Sequence, residues 1–246
     1  MSMWQSIRKW GHQWASPAGF DRLSGYFLPW LTPLAWILLA VGVIWGLTIA
    51  PADYQQGNSY RIIFIHVPSA ALSMSIYVMM ALTSLVFFIW RVRTAAIFAR
   101  AAAPYGALVT ALALISGMLW GKPTWGTYWT WDARLTSELI LLFLYIAYMM
   151  LQESIEDRAQ ADRLSAILAI VGVINIPIIH YSVDWWNSLH QGATILKLGA
   201  PSMSLSMLLP LLITLSAFYL LFFSYILKSM QNAILSHRIE RLLVRS

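Results

Sequence analysis

Six apolar runs, each near twenty residues long, divide this chain and leave it few folds to choose from. A run of that length, coiled as an α-helix at about 1.5 Å per residue, crosses the roughly 30 Å hydrocarbon core of a bilayer. The runs fall at about 26–49, 62–90, 104–120, 134–151, 164–183 and 203–227. In hydrocarbon, backbone polar groups must be satisfied within their own segment, so the expected architecture is an all-α integral membrane protein, a bundle of six transmembrane helices. Composition agrees, with 59% hydrophobic and only 11% charged residues and a mean hydropathy of +0.66. The chain reads as one membrane domain, 1–246: an N-terminal segment 1–25, a bundle 26–227 and a tail 228–246.

The net charge of +6 invites a nucleic-acid reading, but the distribution of charge argues for topology instead. Arg8, Lys9 and Arg22 precede the first run, and Arg91, Arg93 and Arg100 lie between the second and third. Arg158 and Arg163 lie between the fourth and fifth, and Lys228, Arg238, Arg241 and Arg245 follow the sixth. These alternate connections hold 12 of the 16 basic residues, and Arg61, Lys122, Arg134 and Lys197 are left for the other side. Positive residues collect in the cytoplasm, so both termini are expected there, and no nucleic acid is implied. Ahead of the first run, Trp4, Ile7, Trp10 and Trp14 share one face of a possible interfacial helix, although Gly11 and Pro17 interrupt it. The long first run has no small-residue cleavage site after it, which argues against a removed signal peptide. Cysteine is absent, which excludes disulfides, iron–sulfur clusters, thiolate-bound metals and covalent haem attachment through C-x-x-C-H on this chain.

With that orientation the stretch from Trp120 to Thr136, W-G-K-P-T-W-G-T-Y-W-T-W-D-A-R-L-T, is an external loop between the third and fourth helices. It carries Trp120, Trp125, Trp129 and Trp131, four of the chain's 13 tryptophans, with glycine and proline between them. Tryptophan also anchors helices at the membrane interface, usually one or two rings per helix end. Four rings on a stiff loop suit a large, flat, apolar ligand whose faces accept stacking partners. The same side collects His66, His180 and His190, whereas His12 and His237 fall in the cytoplasmic tails. Pro68 has no N–H to offer Phe64, so the second helix is expected to begin near it or kink there.

Imidazole is the usual ligand of haem iron, and its neutral form needs no counter-charge in an apolar site. Arg134 closes the tryptophan loop and suits a haem propionate through a bidentate contact, with Arg61 and Lys122 weaker choices. Other readings compete residue by residue. A lone histidine at a helix end is often only an interface residue, and His180, near Asn175 and Pro177, is expected to be structural. His180 and Asp184 are spaced i,i+4, half of a zinc site that only His66 and His190 remain to complete. Glu138 is expected to pair with Arg134 one turn away, with a proton-relay role the alternative. Asp132 is expected to cap the fourth helix by accepting from the N–H of Arg134 or Leu135. The methionines of the sixth helix read as packing.

The tryptophan stretch resembles the tryptophan-rich signature, known as WWD, of membrane haem-handling proteins. A-P-A-D-Y-Q-Q-G-N-S-Y-R-I-I (50–63), H-V-P (66–68) and I-I-H-Y-S-V-D-W-W-N-S-L-H-Q-G (178–192) narrow the resemblance. Together they are similar to the haem exporter protein C family of the bacterial cytochrome c maturation system, from Pro29 to about Thr194. The resemblance implies that His66 and His190 are the axial pair on iron, with Trp120, Trp125, Trp129, Trp131 and Asp132 as the haem platform. Arg134 and the pair Trp185 and Trp186 join them as expected haem contacts, His180 is not one of the paired ligands, and Tyr128 stands where some relatives carry Trp. It implies non-covalent haem b in transit, collected at the outer face of the bacterial inner membrane and passed to a membrane-anchored periplasmic haem chaperone. It also implies an ABC transporter ATPase with its membrane subunits and a small single-span accessory protein as partners, besides the lipid bilayer. No acid–base residue or nucleophile is needed for such a transfer, so the chain is not expected to be an enzyme. A haem-containing quinone oxidoreductase subunit, a permease subunit and a bare assembly scaffold remain as alternatives. The first would normally need ligand pairs buried within facing spans, whereas every candidate here lies on one side; the second needs a polar path through the bundle, and the third leaves the external aromatics without a purpose.

Overall fold

A computed structural model describes residues 17–186, 189–190 and 203–243 of the chain. The expected interfacial helix of Trp4, Ile7, Trp10 and Trp14, together with Lys197, lies outside them. Among the described residues the elements are α1 (Pro17–Ile44), α2 (Ile63–Trp90), α3 (Arg93–Trp125), α4 (Ala133–Ser154), α5 (Arg158–Gly172), α6 (Asn175–Trp185) and α7 (Leu205–Leu243). A π-helical turn, Trp45–Ile49, extends α1, and a 3₁₀ turn, Asn58–Ile62, leads into α2. Six helical stretches are long and apolar enough to cross a membrane, because α5 and α6 make one crossing between them. The chain is a multi-pass membrane protein, and an even number of crossings brings both ends of the bundle to one side.

Local chemistry sets where the helices stop. Arg91 takes a left-handed conformation (φ 56°) and its N–H donates to Phe87 O at 2.8 Å, so α2 ends and α3 begins within two residues. Asp132 and Asp157 open α4 and α5 by accepting from the N–H groups of Leu135 (2.8 Å) and Ala159 (2.9 Å). The expectation for Asp132 therefore holds, with Leu135 as donor. Pro68 neither starts nor ends a helix, since α2 begins at Ile63 and carries it in its second turn.

Several boundaries differ from the sequence reading: α1 begins at Pro17 rather than near 26, and α5 at Arg158 rather than near 164. Helix α3 runs from Arg93 to Trp125 rather than from 104 to 120, so the tryptophan stretch is not all loop. Trp120 and Trp125 ride the last turns of α3, and only 126–132 connects to α4. Pro123 near a helix end forfeits a single backbone bond, and Gly126 (φ 78°) then supplies the left-handed cap. Helix α7 likewise continues to Leu243, well past the last apolar residues of its run.

In lipid the hydrophobic effect does not drive helices together, and close packing of small residues takes its place. Ala99, Ala101, Ala102, Ala103, Gly106 and Ala113 make such a surface on α3. At Gly106 a Cβ would fall 2.2 Å from the Tyr145 ring, so any larger residue would push α4 away. Tyr145 and Tyr77 meet edge to face at 5.2 Å in the bundle core, and Tyr145 OH donates to Ser73 O at 2.7 Å. Beside them the buried Glu138 is met by Ser73 Oγ at 2.8 Å. The expected Arg134–Glu138 pair is not a direct one. The ion pairs among the described residues are Arg100–Asp162 and Asp132–His190. Helix α1 packs chiefly on α7 and leaves Trp30 and Trp36 on its outer face, as lipid contact permits.

Candidate functional site

The α1–α2 connection, the α3–α4 loop and the segment after α6 share one end of the bundle, and His66 and His190 lie there with different supports. His66 sits in the first turn of α2, facing α3. Its Nδ1 lies 3.0 Å from Ala113 O and 3.1 Å from Ser116 Oγ. A carbonyl can only accept, so Nδ1 carries the proton and Nε2 carries the lone pair. No described residue engages Nε2. Gly117, one residue beyond Ser116, gives the ring its space, since a Cβ there would come within 3.0 Å of His66 Cε1. Trp120, one turn further along α3, meets the imidazole edge to face at 5.5 Å.

His190 follows α6 and is held by the end of α3 and the start of α4. Its Nδ1 lies 2.9 Å from Asp132 Oδ2, while Asp132 Oδ1 caps α4. One carboxylate thus starts a helix and orients an imidazole. Since Nδ1 is taken by Asp132, Nε2 is the nitrogen through which His190 would meet a metal. Burial lowers the His190 pKa below the ordinary imidazole value, and nearby Arg134 adds to that, while the Asp132 carboxylate works against both. The neutral ring is the form that ligates a metal. Trp125 meets His190 edge to face at 4.7 Å, repeating the Trp120–His66 arrangement.

Arg134 lies in the first turn of α4 within electrostatic reach of Glu138, Asp132 and Asp184. Among the described residues its guanidinium makes no hydrogen bond or ion pair, so its donors are available to an anionic group. Lys122, by contrast, donates to Gly126 O at 3.0 Å and sits over the Tyr128 ring, and the Arg61 guanidinium donates to Leu47 O. In the α3–α4 loop, Trp129 Nε1 and Thr130 Oγ1 are buried with no partner among the described residues.

The predicted residues therefore divide into groups. His66 with Trp120 forms one cluster, and His190 with Trp125 and Asp132 forms another. Trp129 and Trp131 pack edge to face on each other at 5.4 Å, and Trp131 is 77% exposed. Trp185 stacks on Tyr181 at 5.5 Å and touches Trp186, and both tryptophans are half exposed. The four loop tryptophans thus present edges and separate faces, not one sheet. His180 packs edge-on against Tyr181. Among the described residues, His180 and Asp184 are not gathered with the other histidines into a group of three or more that could hold a metal ion, as zinc would need.

Sequence reasoning missed Gln56, Ser116 and Gly117. Gly117 three residues before Trp120 was the only local signal for the last two, since a small residue on that helix face marks a close neighbour.

A ligand suited to this end of the bundle has a metal that takes two neutral imidazoles, apolar edges for the tryptophans and an anion for Arg134. Porphyrin iron with its carboxylates fits that donor set.

Comparison with known proteins points the same way. Residues 10–245 match the family described as heme exporter protein C. The chain is 48% identical over 233 residues to the heme exporter protein C of Escherichia coli K12, covering 95% of this chain and 92% of that protein. It is 49% identical to the protein of the same name from Bradyrhizobium diazoefficiens, covering 93% of this chain and 86% of that one. A putative cytochrome c biosynthesis ccmC-like mitochondrial protein of Marchantia polymorpha is 41% identical over 86% of this chain and 90% of its own length.

Proposed function

The chain belongs to the heme exporter protein C family, and from that premise we propose that it holds haem b non-covalently at the periplasmic face of the bacterial inner membrane and delivers it for c-type cytochrome assembly. The observation that carries the reading is the pair of supported imidazoles. His66 is held through Nδ1 by α3 and His190 through Nδ1 by Asp132, so Nε2 is the nitrogen each would offer to a metal. When bound, haem supplies the iron that these nitrogens ligate.

The chain's own residues do the holding. Ala113 O and Ser116 Oγ keep the His66 tautomer, and Asp132 keeps that of His190. Trp120 and Trp125 brace the two rings, and Arg134 offers its donors to a propionate. Trp129 Nε1–H and the Thr130 hydroxyl, which meet no partner among the described residues, stand in the same loop. With no cysteine, the chain has no thiol to trap its cargo, and release stays reversible. The exposed Trp131, Trp185 and Trp186 are left to face lipid or a partner. That partner is a membrane-anchored periplasmic haem chaperone, with an ABC-type ATPase, its membrane subunits and a single-span accessory protein completing the assembly. The excess of arginine and lysine on the opposite side supports cytoplasmic termini. No side chain in this outline acts as nucleophile or general acid, so the proposed role is transfer and not catalysis. Both candidate ligands lie at one end of the bundle, which argues against electron transfer across the membrane.

The test is the purified protein in detergent. It should carry a Soret band at close to one haem per chain, and acid–acetone should extract that haem completely. Haem left on the protein after extraction would contradict non-covalent binding.

A further inference from the structure

The segment A-D-Y-Q-Q-G between α1 and α2 is tightly built. Asp53 Oδ1 accepts from the backbone N–H groups of Gln55 (2.9 Å) and Gln56 (2.8 Å). Asp53 and Gly57 exchange both backbone hydrogen bonds, at 3.2 and 2.9 Å, which closes a five-residue turn. Gly57 completes it with φ 59° and ψ −136°, a conformation that only glycine adopts without strain. Ser59 Oγ donates to Gln56 O at 2.6 Å and pins the backbone from the far side. Tyr54, at the tip, is 90% exposed, whereas Gln56 turns inward.

What Gln56 reaches is Trp120. The indole N–H donates to Gln56 Oε1 at 2.7 Å. The indole nitrogen can only donate, so the amide must present its oxygen, and the contact has a single sense. The Trp120 side chain has no other polar atom. Its ring meets Tyr60 at 5.7 Å and His66 at 5.5 Å, both edge to face, and neither contact fixes its rotation as a hydrogen bond does. A tryptophan has two side-chain torsions, and anchoring the N–H end determines both.

We infer that Gln56 is a positioning residue for the haem site: through the Trp120 N–H it sets the indole plane that packs against the His66 imidazole. The inference rests on the haem reading above and adds the α1–α2 turn to the site. It also gives the Asp53–Gly57 turn a purpose, that of presenting one amide oxygen to α3.

The test combines Gln56→Leu, Gln56→Ala, Trp120→Phe and the double variant Gln56→Leu/Trp120→Phe, each purified in detergent. Two quantities are read: haem per protein with its visible spectrum, and the indole N–H resonances of ¹⁵N-tryptophan-labelled protein. Trp120 is identified by the resonance lost in Trp120→Phe. Both Gln56 variants should shift that resonance, with or without haem, and change the iron spectrum. Each should lower haem retention about three- to tenfold, the scale of one lost hydrogen bond. In the Trp120→Phe background, Gln56→Leu should add nothing further. An unmoved Trp120 resonance in both Gln56 variants, or an equal loss of haem with and without Trp120, overturns the inference while leaving the haem reading intact. A wild type that carries no haem overturns the haem reading, and the inference with it.

Discussion

Asp132 and His190 are joined at 2.9 Å, and the carboxylate that holds the imidazole also caps α4 through the N–H of Leu135. The two functions use different oxygens, Oδ2 and Oδ1, so they are separable by substitution. Asp132→Asn keeps one oxygen and satisfies one of the two bonds, whereas Asp132→Ala loses both. Loss of the cap costs about 1 kcal/mol of stability. Loss of the partner of a ligating histidine costs about 10- to 100-fold in affinity for the metal. Haem per protein should therefore fall in the order wild type, Asn, Ala, and thermal stability should fall clearly only in Ala. An Ala variant with wild-type haem content would remove Asp132 from the site.

Gly117 offers a different signature. In a helix, Gly→Ala normally stabilises by about 1 kcal/mol. Here the added Cβ would stand 3.0 Å from His66 Cε1, closer than carbon atoms ordinarily pack. Gly117→Ala should fold at least as well as wild type and hold less haem, with Gly117→Val worse. A variant that gains stability and keeps its haem would show that the ring has room to move.

The tryptophans should not behave alike. Trp120 and Trp125 each touch a candidate ligand, whereas Trp131 is largely exposed. Removing a ring that braces the site should cost about 1–3 kcal/mol of contact, roughly a five- to hundredfold loss of haem. Phe should be milder than Ala at Trp125, and at Trp120 it should still lose the bond to Gln56. Trp131→Ala, Trp185→Ala and Trp186→Ala should change haem content little and cross-linking to the proposed chaperone more. Equal losses across the series would restore the single-platform picture.

Crossing number is tested independently of haem. Reporter fusions at Val92 and Asp157 should report cytoplasm, and fusions at Tyr54 and Tyr128 periplasm. A periplasmic signal at Asp157 would overturn both the orientation and the sidedness of the proposed site.

The six crossings were legible because run length alone demands them, and neighbouring helices need not be known to count twenty apolar residues. The Asp132 cap was legible for a similar reason, since an N-cap bond spans three residues. Helix ends set by distant packing were not. Helix α3 continues through Pro123 to Trp125, and α5 gives way to α6 at Val173–Ile174, where Asn175 Nδ2 donates to Ser137 O at 2.8 Å. Glu138 was expected to face Arg134 because the two are one turn apart, but Ser73, far away in sequence, meets it. Of the site, the residue types were readable, but the link from Gln56 to Trp120 was not. It joins two segments 64 positions apart and leaves no periodic trace in either.

His66 and His190 are proposed to hold haem iron between them. The most direct measurement is the absorption and electron paramagnetic resonance spectrum of purified wild type beside His66→Ala, His190→Ala and His180→Ala. Wild type should give the low-spin signature of two nitrogen ligands. Each of the first two variants should lose it or convert it to a high-spin form, while His180→Ala keeps it. Wild-type spectra and undiminished cytochrome c assembly in both His66→Ala and His190→Ala would contradict the account.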